Sequence, residues 1–446
     1  MGKFTKKDIE KLKDIIISCK KYLIGADPEF FIKNHIGNIV SADSLLPDES
    51  SKRVDEPALT IYNDGVQGEF KIEPKECRDS IVLGIRKQFK DIMNLLEPKK
   101  NNDTYFYVKT HRLSVLDPII KLDKRYLSSL TSSAKTFGCK PDYNTYNDGR
   151  VNDCKLNGSR HLFRYGGGHI HISLPINATI GHVITQDGTK LNCNCLDCVK
   201  KYAINKDEIL LVHPLKSAHD DKCITIVKLM DIFLGIFSVL LTRDKYKEER
   251  SRRRYYGRAG DYRITSYGFE YRTLSNFWLI NPAIASLMFG LARVVQNIWN
   301  FGGEKLIQKI LDVFNPDEIK DIINNCDVDG AKEKYEIMKT FLYIDKTTPL
   351  YRDNTSYKWL SPFTTEHIEL IDDMLNIGVH KMYSEADFLG YWGIFKNPSN
   401  NEYDINYPYS NGFIAWSGTN REIIRNIKYT TGIIDTKNKK KVKCDG

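Results

Sequence analysis

Cysteine is scarce, with ten residues in a chain of 446, and so thin a supply excludes a disulfide scaffold. Long apolar runs are missing too. No stretch reaches the roughly 18 uninterrupted apolar residues of a membrane helix. The richest, Ile224–Leu241, is broken by Lys228 and Asp231 and reads as a buried helix. The Lys-rich, amphipathic Met1–Lys21 lacks the apolar centre and cleavage site of a secretory signal. No internal repeat and no Ser/His/Asp or Cys/His nucleophile pattern is evident. These absences favour a cytoplasmic protein with no membrane partner.

Charge is only mildly unbalanced, at +9, and two runs supply much of the excess, Arg250–Arg258 and Lys437–Lys443. The tail run reads as a solvated end rather than a nucleic-acid arm, so nucleic acid is not the expected partner. With 41% hydrophobic and 28% charged residues the composition is globular. The length admits two or three domains, or one large domain with insertions. Abundant Lys, Asn, Ile and Tyr suggest an A/T-rich genome, which fits a virus or an endosymbiont; a viral protein would work in the host cytoplasm or accompany the virion. Cys193, Cys195 and Cys198 form a C-x-C-x₂-C run in a polar insertion at about 177–221. With Cys154, His213, His219 or Cys223 as fourth ligand they would hold a structural Zn²⁺; free thiols are the equal alternative.

Periodicity predicts helices at Lys6–Lys21, Arg78–Leu96, Cys223–Arg243 and Pro282–Phe301, and strands at Tyr22–Lys33, Asp64–Pro74 and Asp103–Val108. Pro141–Asn152 reads as an irregular loop near the site, and Lys245–Arg263 as a basic loop. Beyond Gly303 come short amphipathic helices (Glu304–Phe314, Pro316–Asn325, Ala331–Phe341, Glu366–Asn376), then aromatic, Gly-rich segments near Tyr391–Trp416. The expected division is a catalytic domain over 1–302 and an accessory helical region over 303–446.

Four segments put chemically active side chains on one strand face opposite a mostly apolar one. Asp27 and Glu29 oppose Phe30 and Ile32; Glu69 and Glu73 oppose Phe70 and Ile72; His169, His171 and Ser173 oppose Ile170, Ile172 and Leu174; Glu270 and Arg272 oppose Phe269 and Tyr271. Clustered carboxylates repel unless a cation neutralises them. Hard oxygen donors suit Mg²⁺ or Mn²⁺, which usually arrive with phosphate groups. The strongest single motif is Arg164-Tyr-Gly-Gly-Gly-His-Ile-His-Ile-Ser173. Its glycines let another backbone or a phosphate come close, and its two histidines face one way. The pattern implies a metal-lined sheet that handles a nucleotide.

These segments resemble the glutamine synthetase and γ-glutamylcysteine synthetase superfamily, and most closely its phage and large-virus branch, the COOH–NH₂ ligases of type 2. Gly-Ala-Asp27-Pro-Glu29-Phe stands where the superfamily has paired acids on its first core strand. Gly168-His-Ile-His171 matches its glycine-rich His-x-His, and Glu270-Tyr-Arg272 its Glu-x-Arg strand. Tyr256-Gly-Arg-Ala-Gly-Asp-Tyr-Arg263 matches a loop of the viral branch. The motifs fall in order over about residues 22–300. Asp27, with its shorter arm, departs from the commoner Glu.

The resemblance implies an α+β fold, a curved antiparallel half-barrel with flanking helices, carrying ATP and Mg²⁺ or Mn²⁺ on its concave side. Asp27, Glu29, Glu69, Glu73, His169 and Glu270 would divide the cations. Arg263 and Arg272 would clamp the transferred phosphate, with Glu69 also in the catalytic set. Arg164, Gly167, Gly168, His171 and Arg258 would line the nucleotide pocket. The implied activity joins a small-molecule or peptide carboxylate to an amine. The acid, the amine and the oligomeric state stay open. A metal-dependent hydrolase using the His-x-His strand, and a non-catalytic virion or nucleic-acid-binding protein on the same fold, are the alternatives.

Overall fold

The computed structural model describes residues 23–49, 60–97, 112–115, 117–135, 142–148, 150–151, 158–173, 179–180, 183–184, 190–191, 211–212, 221–265, 268–342, 365–383, 388–400 and 402–405. The expected helix at Lys6–Lys21, the strand at Asp103–Val108, the run Cys193, Cys195 and Cys198 and the basic tail lie outside these residues.

The fold is α+β, built on a large antiparallel sheet. Its organising strand is β1 (Ile24–Lys33), which pairs with β2 (Ile39–Val40), β4 (Gln67–Phe70), β5 (Ile72–Lys75), β6 (Arg112–Ser114) and β11 (Gly168–Ser173). Strand β3 (Ile61–Asp64) forms a hairpin with β4, and β7 (Ile119–Lys121) makes a separate ribbon with β10 (Phe163–Tyr165). Short strands β8 (Tyr143–Asn144) and β9 (Arg150–Val151) finish the far edge. Two small ribbons, β12 (Thr179–Ile180) with β15 (Leu211–Val212) and β13 (Val183–Ile184) with β14 (Lys190–Leu191), lie in the polar insertion. Strands β16 (Asp261–Thr265) and β17 (Gly268–Tyr271) complete the order β3-β4-β1-β11-β17-β16-β8-β9.

The apolar face of this sheet, with Phe30, Ile170, Ile172, Phe269 and Tyr271, is fully buried. Helices Arg78–Leu96, Asp221–Met230 and Pro282–Asn297 pack behind it. The second of these runs on through a π-helical turn, Asp231–Gly235, into Ile236–Leu241. Cys223–Leu241 is long and apolar enough to cross a membrane, but 83% of it is buried inside the molecule, the place of a core helix. A second, smaller apolar cluster of Phe31, Val66, Ile120, Leu122, Leu127, Leu130 and Ala134 lies apart from the main core.

The helices beyond Gly303 do not build a core of their own. Ile310, Phe314, Ile323, Met338, Ile371 and Trp392 belong to the cluster that holds the sheet. Trp392 Nε1 donates to the Leu279 carbonyl (2.9 Å) and Arg86 Nη2 to that of Gly393 (3.1 Å). Among the described residues, the boundary expected at 302/303 therefore separates no cores.

Two local expectations are corrected. Lys245–Arg263 is not a loop throughout: Tyr246–Arg253 is helical, with Arg252 and Arg253 buried and hydrogen-bonded inward. Asp64–Pro74 is not one strand but β4 and β5, and the segment before it supplies β3 as an unforeseen partner.

Candidate functional site

Register brings the active side chains together. Asp27 sits opposite His169 across β1 and β11, Glu29 opposite Glu69 across β1 and β4, and His171 opposite Glu270 across β11 and β17. Since residues directly opposite share a face, three strand pairs converge on one side of the sheet. A cleft of about 590 Å³ opens there, lined by Asp27, Glu29, Glu69, His169, Arg263 and Arg272 among others.

Two groups of metal-ligating atoms stand in this region. Oxygens of Glu29, Asp64 and Glu69 lie within 4.8 Å of one another, and so do ligand atoms of Asp27, His171 and Glu270. The first group holds oxygen only. Burial lifts the Asp64 carboxyl to about 6, with Glu29 adding to it. Burial also raises Glu69 well above the carboxylate range, reinforced by Asp27 and Glu29. Carboxylates that repel one another in this way fit a divalent cation, whose charge would restore their ionisation. Glu69 further accepts the Tyr62 hydroxyl. Glu29 accepts the Gly167 amide at 2.7 Å and Gln67 Nε2 at 3.1 Å, which fixes its rotamer.

The second group is balanced by protein cations. Burial is the largest influence on Asp27 and opposes its charge, but His171, 2.8 Å away, and His169 together outweigh it and hold the carboxyl at about 2. Burial opposes Glu270 likewise, yet the paired Arg272 keeps it well below its usual range. His169 Nδ1 lies 3.0 Å from Glu270 and 3.5 Å from Asp27. Arg272 is buried and also pairs with Asp142 at 2.8 Å. Arg263 meets Glu270 and Asp142 at a looser 3.4 Å each and keeps 26% of its side chain exposed, so it is the guanidinium with room to turn toward a ligand.

Several expected residues lie elsewhere. Glu73 is turned out to solvent, 79% exposed and paired with Lys75. The β1–β5 register shifts by one residue between Ala26/Ile72 and Ile24/Lys75, and a bulge at that point re-aims the side chain between. Arg164 is buried away from the cleft, donating to the carbonyls of Ala134, Gly158, His161 and Phe163. Arg258 donates to the Arg254 carbonyl, and its own amide caps Asp261; Arg254 is exposed. Of the basic run, Arg252 works as a frame, donating to the carbonyls of Gly166 (3.1 Å), Thr273 (3.0 Å) and Leu274 (2.7 Å). Gly168 serves a close backbone approach: a Cβ there would fall 2.2 Å from the Ser275 carbonyl oxygen. Gly167 lies against the His169 ring. Cys223, one of the expected fourth ligands, is buried in the core beside Tyr262.

Sequence reasoning gave no role to Asp64, Asp142, Tyr62 or Tyr256. Asp64 precedes Gly65, whose φ is +65°, so Asp-Gly is the hairpin turn that the expected strand Asp64–Pro74 runs through. Its parity with Tyr62, across from Glu69 and Gln67, was the available signal.

Residues 221–309 match the family described as Phage phiEco32-like COOH.NH2 ligase-type 2. That stretch carries Tyr256, Arg263, Glu270 and Arg272, and the family is the one the sequence motifs resemble. No curated protein matches the chain. Among solved structures, a bifunctional glutathione synthetase from Pasteurella multocida is similar at a TM-score of 0.36 and 10% identity. The likeness covers 96% of this chain and 54% of that one, so this chain spans about half the length of that enzyme. A likeness this faint defines no function.

Proposed function

We propose that the protein is an ATP-dependent carboxylate–amine ligase, its sheet being the half-barrel of the glutamine synthetase type. The observation that carries this reading is the pairing of two metal-ligating triads with Arg263 and Arg272 on one face of the sheet. A match to a carboxylate–amine ligase family over the stretch bearing both arginines supports it. Glu29, Asp64 and Glu69 would hold one Mg²⁺ or Mn²⁺, and Asp27, Glu270 and a histidine of the His169/His171 pair a second. Such cations neutralise nucleotide phosphates.

A carboxylate is a poor electrophile until its oxygen leaves as phosphate. In the proposed reaction a substrate carboxylate oxygen attacks the γ-phosphorus of ATP and ADP departs. The amine nitrogen then attacks the acyl carbon and phosphate departs, giving an amide, ADP, phosphate and a proton. Arg263 would swing from its long contacts with Glu270 and Asp142 onto the transferred phosphoryl group, where a planar guanidinium suits phosphate oxygens. Arg272, held by Glu270 and Asp142, would keep its charge fixed behind that group. No side chain need form a bond to the substrate. Small molecules are the natural substrates of a cleft this size.

The test is Mg²⁺-dependent phosphate release from ATP against pools of carboxylates and amines. Release that needs one member of each pool supports the reading. Turnover that ignores amines, or metal-dependent hydrolysis without ATP, overturns it.

A further inference from the structure

Tyr256 stands at the junction of the two triads and belongs to neither. Its hydroxyl lies 3.1 Å from Glu29 Oε1, 2.7 Å from His169 Nε2 and 3.0 Å from Arg272 Nη2. Those partners come from β1, from β11 and from the residue following β17. One oxygen therefore touches the oxygen-only triad through Glu29, and the histidine-bearing cluster through His169 and Arg272.

The ring beneath that hydroxyl is held on several sides. It stacks on Tyr165 (5.9 Å between centroids, 24° between planes) and meets His169 edge-on at 5.8 Å. The guanidinium carbons of Arg252 and Arg272 lie 5.2 and 5.4 Å from its centroid. Gly257, next in the chain, has φ +68°, and a Cβ there would fall 2.4–2.6 Å from the Arg252 guanidinium. Arg252 in turn holds the backbone on both sides of the site. The hydroxyl thus has a fixed address, which a phenol needs if it is to set the position of others.

We infer that Tyr256 is a positioning residue that couples the two cation sites, keeping Glu29 of one triad in register with His169, which contacts Asp27 and Glu270 of the other, so that both triads form together. The inference rests on the proposed cation reading. His169 has both ring nitrogens engaged, Nδ1 by Glu270 and Nε2 by Tyr256, so the hydroxyl orients the ring from the side away from Glu270. Loss of an outer-shell partner of this kind typically costs about 10- to 100-fold in metal affinity.

The test is Mn²⁺ titration of the full chain without nucleotide, followed by electron paramagnetic resonance, for wild type, Tyr256→Phe and Tyr255→Phe. Phenylalanine keeps the ring stack, and Tyr255 is the exposed neighbour, so its variant controls for general change. The expected result is two bound Mn²⁺ with a spin-coupled signal in wild type and in Tyr255→Phe. Tyr256→Phe should bind at least tenfold more weakly and lose the coupled signal, with an unchanged far-ultraviolet circular dichroism spectrum. Wild-type affinity and coupling in Tyr256→Phe would overturn the inference and leave the ligase reading standing. Wild-type protein that binds no Mn²⁺ would overturn both.

Discussion

At the scale of single residues, the site separates carboxylates that look alike in sequence. Glu69 and Glu73 share a strand parity, yet one is half-buried against Tyr62 and the other is 79% exposed beside Lys75. Glu73→Gln should therefore leave ATP turnover within about twofold and stability within about 0.5 kcal/mol. Glu69→Gln should reduce turnover at least a hundredfold at equal Mg²⁺. A phosphate-release assay on both variants checks the contrast, and equal losses would return Glu73 to the site. Glu270→Gln carries a double cost. It removes a metal-binding charge and strands the buried Arg272, so turnover should vanish and unfolding free energy fall by about 3 kcal/mol. Urea melts measure the second effect; an unchanged midpoint would mean that Asp142 alone satisfies Arg272.

At the scale of elements, alternation was enough to place β1, β11 and β17, because each has one face of functional groups and one of large apolar side chains. It could not reveal the bulge between β1 and β5, since a one-residue slip depends on both strands and leaves no mark on either. The hairpin partner β3 is signalled by Asp64-Gly65, a favoured hairpin turn, but a strand begun at Asp64 runs through that turn and conceals it. The helix Tyr246–Arg253 was hidden for another reason. Its arginines read as part of a basic loop, while the acceptors of Arg252 are carbonyls distant in sequence and that of Arg253 is the Ser238 hydroxyl. Close approach is the other lesson of the elements. Gly168→Ala would drive a Cβ to 2.2 Å from the Ser275 carbonyl and 2.4 Å from the Trp278 indole nitrogen. Trp278 Nε1 is bonded to the Gly168 carbonyl, so the backbone itself must move. A stability loss of about 1–3 kcal/mol or more is expected in denaturant melts, with weaker Mn²⁺ binding as His169 shifts. Wild-type stability in the Gly168→Ala protein would show the strand free to slide.

At the scale of the whole molecule, two buried carboxylates behind and beside the sheet set a pH dependence. Burial lifts Asp231 to about 6, and lifts Asp261 to about 7 with Asp142 adding, against 3.8 for an unperturbed aspartate. Between about pH 4 and 7 the folded protein keeps protons that the unfolded chain has released. These groups therefore make stability fall as pH rises through that window and level off above it. Asp261→Asn should flatten the dependence over that same window, read by unfolding at constant ionic strength; an unaltered slope would assign it to other groups.

The shared core has a consequence for synthesis. Ribosomes deliver the chain from its N-terminus, and β1, which holds Asp27 and Glu29, emerges early. Strands β4 and β5 and the helix Arg78–Leu96 follow soon, but β11, β17 and the helix Pro282–Asn297 arrive much later, and Trp392, which bonds the Leu279 carbonyl and packs on Phe89, is later still. Most of the chain must be translated between the first ligand and that closing tryptophan. During that interval the acidic strand lacks much of its cover, so nascent chains should depend on chaperones, and a truncation before residue 392 should aggregate rather than yield a smaller folded protein.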